Sequence, residues 1–179
     1  MKDVGLTDLP QVFVTVGTDH HPFNRLVAWI DSWIASRPAG LVGCRMQIGT
    51  SLPPRHASFR DYLSPAELEA AMSEAVAVVC HGGPASIMMC RGLDKKPIVV
   101  PRRADLGEHV DGHQLLFARR MAAHGDLELA EDEEGLHSLL DGVIAGEHSL
   151  RLSAGDTDRH VAVERFERFL NDLVASSWR

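Results

Sequence analysis

Two adjacent glycines follow an apolar segment in the middle of the chain, and a helical pattern begins just beyond them. The apolar segment spans residues 76–80, and His81-Gly82-Gly83-Pro84-Ala85-Ser86 comes next. Glycines let the backbone approach a ligand closely, and a helix that begins at a proline leaves N–H groups to bind an anion. The pattern predicts a phosphate site with Ser86 in the first helical turn. A tight turn that merely requires glycine is the alternative.

A second turn of the same kind follows the mainly apolar segment of residues 11–16. Gly17-Thr18 can bring backbone N–H groups and a hydroxyl to a phosphate, although an ordinary turn between a strand and a helix explains it equally well. His20 and His21 come directly after this turn. One of them can act as a general base or contact a phosphate, and the alternative is a pair of exposed loop histidines.

A third polar loop follows the apolar residues 97–100. Arg102 can neutralise a pyrophosphate or lie in solvent. The amide, carboxylate and imidazole groups of Glu108, His109, His113 and Gln114 can hydrogen-bond sugar hydroxyls, which need directional partners. The four-residue spacing of the two histidines also suits a metal site, but Val110 stands where a zinc-protease motif has its acid. Helix capping and surface polarity are further alternatives.

Alternating strands and helices are predicted to position these loops. Strands are predicted at residues 11–16, 41–48, 76–80 and 97–100, with a weaker strand or a connection at 57–63 and an edge strand at 127–129. Helices are predicted at 22–34, 65–75, 85–91, 111–124 and 132–144. This order predicts an α/β fold, a Rossmann-like, mainly parallel sheet with helices on both faces. Ligands of such sheets bind beyond the carboxyl ends of the strands, where all three loops should converge.

The chain is divided at about residue 150. Residues 1–149 are predicted to form the Rossmann-like domain, and residues 150–179 a linker followed by an amphipathic helix at 159–175. That helix covers either the domain's own sheet or the surface of a partner protein.

Composition and charge exclude several classes of protein. The 179 residues carry a net charge of -7, which argues against nucleic acid as a partner. The three cysteines fit neither a disulfide framework nor a zinc knuckle, so we expect reduced core residues. The sequence has no signal-peptide pattern and no apolar segment of membrane-spanning length, so we expect a cytoplasmic protein.

Between residues 12 and 125 the chain resembles the C-terminal, donor-binding domain of family 28 glycosyltransferases, in the motifs VFVTVGT, HGGPAS, PIVVPR and GEHVDGHQ. It is especially similar to stand-alone catalytic subunits of two-part GlcNAc transferases and of bacterial exopolysaccharide transferases. The resemblance implies half of a GT-B fold that holds a nucleotide diphosphate sugar, usually UDP-linked. It assigns Gly17, Thr18, Gly82, Gly83 and Ser86 to the phosphates, and His109 and Gln114 to the sugar. It implies no metal and no cofactor, and inversion at the anomeric carbon with a base that deprotonates the acceptor hydroxyl.

The resemblance also implies a partner, because a GT-B enzyme needs an acceptor-binding domain for which this chain has no room. We expect a membrane-associated subunit that binds a polyprenyl-linked glycan precursor in polysaccharide synthesis and holds this chain at the inner face of the membrane. The isolated chain could form a homodimer. Met89 stands where the family usually has an acid that binds the ribose hydroxyls. A non-catalytic subunit that stabilises a partner transferase is therefore one alternative, and a metal-dependent hydrolase built on the histidines is another.

Overall fold

The computed structural model describes residues 9–110 and 112–152, so the predicted helix at 159–175 lies outside it. Its six strands form one parallel sheet in the order β3-β2-β1-β4-β5-β6. The strands are β1 (Gln11–Thr15), β2 (Gly43–Gln47), β3 (Ser58–Arg60), β4 (Ala77–Cys80), β5 (Ile98–Val99) and β6 (Glu128–Leu129). The predicted parallel sheet is confirmed, with the short segment near residue 128 as an edge strand.

Five α-helices cover the two faces of this sheet. They are α1 (Asn24–Ala35), α2 (Pro65–Glu74), α3 (Pro84–Gly92), α4 (His113–Ala123) and α5 (Glu133–Ile144). α1 and α5 pack with Val12, Val14 and Val79 on one face, and α2 and α3 pack with Phe13 and Val78 on the other. Among the described helices, none combines the length and the apolar character needed to cross a membrane.

Local sequence explains where these elements begin and end. β1 and β4 are almost wholly buried, as expected for central strands of a sheet covered on both faces. α2 begins at a capping box, in which the Ser64 hydroxyl accepts from the Glu67 N–H and the Glu67 carboxylate accepts from the Ser64 N–H. The predicted strand and helix ends differ from the observed ones by a few residues, and a short 3-10 helix at Ala104–Leu106 was not predicted.

The three cysteines are buried and unpaired, as expected. Burial raises the pKa of both the Cys44 and the Cys80 thiol to about 12. The thiols are therefore protonated and unreactive at neutral pH, and they act as small apolar side chains of the core.

Candidate functional site

A cleft of about 420 Å³ opens at the carboxyl edge of the sheet, above β1 and β4. The turn after β1 lines one side, the turn between β4 and α3 lines the floor, and α2 and α4 each add a side chain. Of the predicted site residues, the cleft brings together Gly17, Thr18, His81, Gly83, Ser86 and Gln114. Within the described part of the chain, the predicted site residues that do not line the cleft are Gly82, Arg102, Glu108, His109, His20 and His21. Asp19, which directly precedes the two adjacent histidines in the chain, does line it.

His81 connects the two glycine turns. A Cβ at Gly17 would lie 2.4 Å from its Cε1 atom, and one at Gly83 would lie 2.3 Å from its Nε2 atom. The backbone of Gly17 (φ +80°) and of Gly82 (φ +87°) lies in the left-handed region that favours glycine. Burial, together with the charge of Arg102, lowers the pKa of His81 to about 4, so the ring is neutral at pH 7. Its buried Nδ1 atom has no hydrogen-bond partner among the described residues.

Gln47, at the end of β2, holds the first turn in place. Its amide nitrogen donates to Thr15 Oγ1 and to the Gly17 carbonyl, both at 3.2 Å, and its oxygen accepts from the Leu63 N–H at 3.1 Å. Because the side chain is buried and all three contacts are internal, Gln47 orients the turn of Gly17. The sequence analysis missed this residue, although a glutamine at the end of an apolar strand was a signal available for it.

Arg102 joins the first loop to the third. Its guanidinium donates to the carbonyls of Val16 and His21, both at 2.8 Å, and to that of Glu108 at 2.9 Å. The side chain is fully buried and lies over the Phe23 ring, 4.8 Å from its centroid. These contacts give Arg102 a structural role beneath the loops, and its predicted contact with a pyrophosphate stays a prediction.

Glu108 is held by an arginine of α1. Arg25 donates from Nε at 2.8 Å and from Nη2 at 2.7 Å to the two carboxylate oxygens, and the Arg103 N–H adds a third bond at 2.9 Å. Both side chains of the pair are largely buried. The carboxylate therefore fastens the third loop to α1, and its predicted contact with a sugar stays a prediction. Sequence gave no signal for the pairing with Arg25, since 83 positions separate the two residues.

Asp19 orients His21 beside the cleft. Its carboxylate accepts from the His21 N–H at 2.7 Å and lies 2.6 Å from the ring Nδ1. Burial opposes ionisation, but the His21 backbone and ring contacts outweigh it and lower the pKa of Asp19 to about 2. The carboxylate is thus charged and assigns the ring proton to Nδ1, leaving Nε2 as an acceptor. Sequence analysis missed Asp19, which the adjacent histidines could have indicated.

The other predicted imidazoles lie near this pair. The His20 ring lies 4.0 Å from that of His21, and the His109 ring lies 6.2 Å from it. Ligand atoms of Asp19, His20 and His21 all lie within 4.8 Å of one another, so this group could hold a metal ion. His20 is 84% exposed. The metal-site alternative at His109 and His113 is left open, because the His113 side chain lies outside the described part of the chain.

Gln114 closes the cleft from the first turn of α4. Its Oε1 atom is buried and has no hydrogen-bond partner among the described residues. A buried carbonyl oxygen without a partner carries a free-energy penalty of about 1–3 kcal/mol, which a bound hydroxyl would remove. The position is therefore suited to a ligand that donates hydrogen bonds.

Comparison with known proteins agrees with this geometry. The family model described as glycosyltransferase family 28 C-terminal domain matches residues 11–160. The glycotransferase of kitacinnamycin is similar in structure, with a TM-score of 0.55 and 15% identity over 93% of this chain and 39% of that one. CalG4, the calicheamicin glycosyltransferase, gives a TM-score of 0.54 and 13% identity over 95% and 40%. MurG of Acinetobacter baumannii gives 0.52 and 15% over 87% and 50%.

The chain spans about two fifths of the first two of these proteins and half of the third. At these identities the likeness shows a shared fold. Among curated proteins, none matches the sequence. The family match covers most of the chain, and we conclude that this protein belongs to the family of glycosyltransferase family 28 C-terminal domains.

Proposed function

We propose that the chain binds a nucleotide diphosphate sugar and acts as the donor-binding subunit of an inverting glycosyltransferase of GT-B type. The observation that carries this proposal is the single cleft in which the Gly17 turn, the N-terminus of α3 and the buried Gln114 oxygen meet. A diphosphate suits the first two and a sugar hydroxyl suits the third. The family to which the chain belongs supports the same assignment.

The diphosphate lies at the N-terminus of α3 in this proposal. Helix N-termini carry a partial positive charge that stabilises anions, and the charge of a departing diphosphate grows as the glycosidic bond breaks. The Thr18 and Ser86 hydroxyls line the same part of the cleft and can donate to phosphate oxygens. These groups supply transition-state stabilisation without a metal, and no cofactor takes part.

His21 is the proposed catalytic base. Asp19 holds its Nδ1–H, so Nε2 can accept the proton of an acceptor hydroxyl and become an imidazolium beside the Asp19 carboxylate. Removal of this proton makes the oxygen nucleophilic as it attacks the anomeric carbon from the face opposite the diphosphate. His20, which is exposed, is the weaker candidate for the same role because it lies 3.8 Å from the carboxylate.

The acceptor and the rest of the enzyme are proposed to come from a membrane-associated partner subunit. Exposed apolar side chains follow the carboxyl ends of three strands, with Leu52 after β2, Tyr62 after β3, and Leu106 and Val110 after β5. These four residues and Leu116, on the first turns of α4, form what we call the apolar rim. An apolar rim around a donor cleft suits a second subunit that closes over it. The proposed acceptor is a polyprenyl-linked glycan precursor in polysaccharide synthesis.

Calorimetric titration with UDP, GDP and dTDP sugars tests donor binding, first with the chain alone and then with the partner subunit. We expect one donor class to bind, and Gln114→Leu to weaken binding of the nucleotide sugar more than binding of the nucleotide diphosphate. The matched control is Gln11→Leu, which makes the same substitution at the first residue of β1, the end of that strand away from the cleft. Absence of binding by every donor, alone and with the partner, would refute the proposal.

A non-catalytic stabilising subunit is the second candidate function. Met89 favours it, because the cleft has an apolar side chain where the family resemblance implies an acid for the ribose. Such a subunit would raise the stability and turnover of its partner even when His21 and Gln114 are replaced. An enzyme subunit would lose turnover in both variants.

A further inference from the structure

The two sides of α3 pack against different helices. Met89 packs with the apolar cluster of α2, to which Leu68 belongs, whereas Met88 packs with Phe117 of α4. α3 therefore lies between α2 and α4, with the proposed diphosphate at its N-terminus. One group attached to the diphosphate extends between α2 and α3, and the other extends toward α4.

The sugar belongs on the α4 side. Gln114 brings its unpartnered oxygen to the cleft from α4. The sugar must also reach the acceptor and its base, and His21, which Asp19 orients, lies with its ring 6.2 Å from that of His109, in the loop that precedes α4. The nucleoside consequently takes the other path, along the face of α3 that bears Ser86 and, one turn later, Met89.

Within the described part of the chain, the wall along that path offers no carboxylate or amide acceptor for a pentose hydroxyl. The side chains along it are those of Leu68, Pro84, Ala85 and Met89. Apart from the Ser86 hydroxyl, the most polar side-chain group on this wall is the thioether of Met89. Two other buried polar residues of the cleft are already engaged, since Gln47 and Thr15 bond to each other and to Gly17. The unpartnered Nδ1 atom of His81 belongs to the ring that lies between the turns of Gly17 and Gly83, on the proposed diphosphate side of the cleft. A hydroxyl laid against Leu68 and Met89 would lose its water without gaining a partner, whereas a methylene there would gain apolar contact.

We infer that the nucleotide part of the donor is a 2′-deoxyribonucleoside diphosphate. The C2′ methylene of the pentose contacts Met89 and Leu68, and the 3′-hydroxyl remains toward the open mouth of the cleft. This inference rests on the proposed function and narrows its donor class, which the family resemblance alone would give as a ribonucleotide.

Isothermal titration with UDP and dUDP tests the inference, because the two ligands differ only in the 2′-hydroxyl. We expect the chain to bind dUDP several-fold more tightly than UDP. Met89→Glu adds an acceptor on the wall and should shift the ratio of the two affinities toward UDP by about ten-fold or more. Met89→Gln adds an uncharged acceptor and should shift the ratio in the same direction by less. Met88→Glu, which adds the same charge on the α4 side, should leave the ratio unchanged.

Tighter binding of UDP than of dUDP by the native chain would overturn the inference while leaving the proposed function intact. An unchanged ratio in a folded Met89→Glu variant would also overturn it. If no UDP, GDP or dTDP sugar binds to the native chain, alone or with its partner, the proposed function itself fails and the inference fails with it. Circular dichroism of each variant establishes that the fold is retained.

Discussion

The imidazole of His81 occupies the space in which a side chain at Gly17 would lie, with its Cε1 atom 2.4 Å from the position of a Cβ there. One residue comes from the end of β4 and the other from the turn after β1, on adjacent strands of the sheet. The two turns of the cleft are therefore packed against each other through a single ring. A change at either position should move both walls of the cleft.

Gly17→Ala should destabilise the fold and weaken donor binding. A positive φ costs alanine about 1–2 kcal/mol, and displacement of His81 adds a cost of about 1–3 kcal/mol. Gly40→Ala is the matched control, because Gly40 has nearly the same φ of +78° but no atom within 4 Å of its Cβ position. Urea unfolding should give a loss for Gly17→Ala that exceeds the loss for Gly40→Ala by at least about 1 kcal/mol. Equal losses would contradict the packing argument.

The burial of His81 should make stability depend on pH. The pKa of His81 is lowered to about 4 from an ordinary value of 6.5, so the unfolded chain takes up this proton first as pH falls. The stabilisation is complete above pH 6.5 and is lost progressively between about pH 6.5 and 4. Its size is about 3 kcal/mol. Unfolding free energies measured across this range should fall more steeply for the native chain than for His81→Asn, and parallel slopes would refute the account.

Arg25→Leu should disturb the cleft although Arg25 does not line it. Its loss leaves the Glu108 carboxylate buried without its main partner, which costs about 3–5 kcal/mol. The third loop then loses its anchor to α1, so donor affinity should fall together with stability. Arg119→Leu is the control, because the Arg119–Glu131 pair is 53% and 40% exposed and should contribute less than about 1 kcal/mol.

Glu108 offers a sharper comparison with Arg25. If Glu108 acts only through this ion pair, the effects of Arg25→Leu and Glu108→Leu on donor affinity should be strongly non-additive in the double variant. Additive losses of affinity would instead support the direct contact between Glu108 and the sugar that the sequence predicted.

Asp19→Asn should lower turnover more than it lowers donor affinity. The variant removes the charge that supports a protonated His21 and changes which nitrogen of the ring carries the proton. We expect a fall in kcat of at least about a hundred-fold, with the dissociation constant of the donor changed by less than about three-fold. Kinetics of the chain with its partner subunit give kcat, and calorimetric titration gives the dissociation constant of the donor. A loss of donor binding equal to the loss of kcat would assign Asp19 to the binding site instead.

Sequence periodicity was sufficient for most of the sheet, because the central strands and the helices that cover them carry apolar patterns of their own. The glycine turns could also be predicted from the sequence. Gly17 and Gly82 have φ values of +80° and +87°, and a turn with a positive φ favours glycine at that position whatever the rest of the fold. Convergence of the loops followed from one rule about parallel sheets. These features depend on residues that are neighbours in the chain.

The partners of the charged side chains could not be read in the same way. Arg102 follows a strand and looked available to a ligand, yet it bonds to carbonyls as far as 86 positions away. Glu108 and Arg25 are comparably distant. Such pairings depend on how the helices pack over the sheet. Sequence patterns predict that helices cover the sheet, but they do not predict which side chains of the helices and loops meet. The separation of α3 into an α2 side and an α4 side likewise required the tertiary structure.

Val110→Asp should weaken association with the partner subunit and leave donor affinity unchanged. Val110 is 76% exposed on the apolar rim, so a charge there should not affect folding, but it would be buried when a second subunit closes over the cleft. Leu41→Asp is the matched control: Leu41 is 45% exposed and precedes β2, at the opposite edge of the sheet. Co-purification and sedimentation of the two subunits should show association weakened by at least about ten-fold for Val110→Asp. Association should be unchanged for Leu41→Asp. Weakening by Leu41→Asp alone would place the partner at the amino edge of the sheet, away from the donor cleft, and would contradict a shared active site.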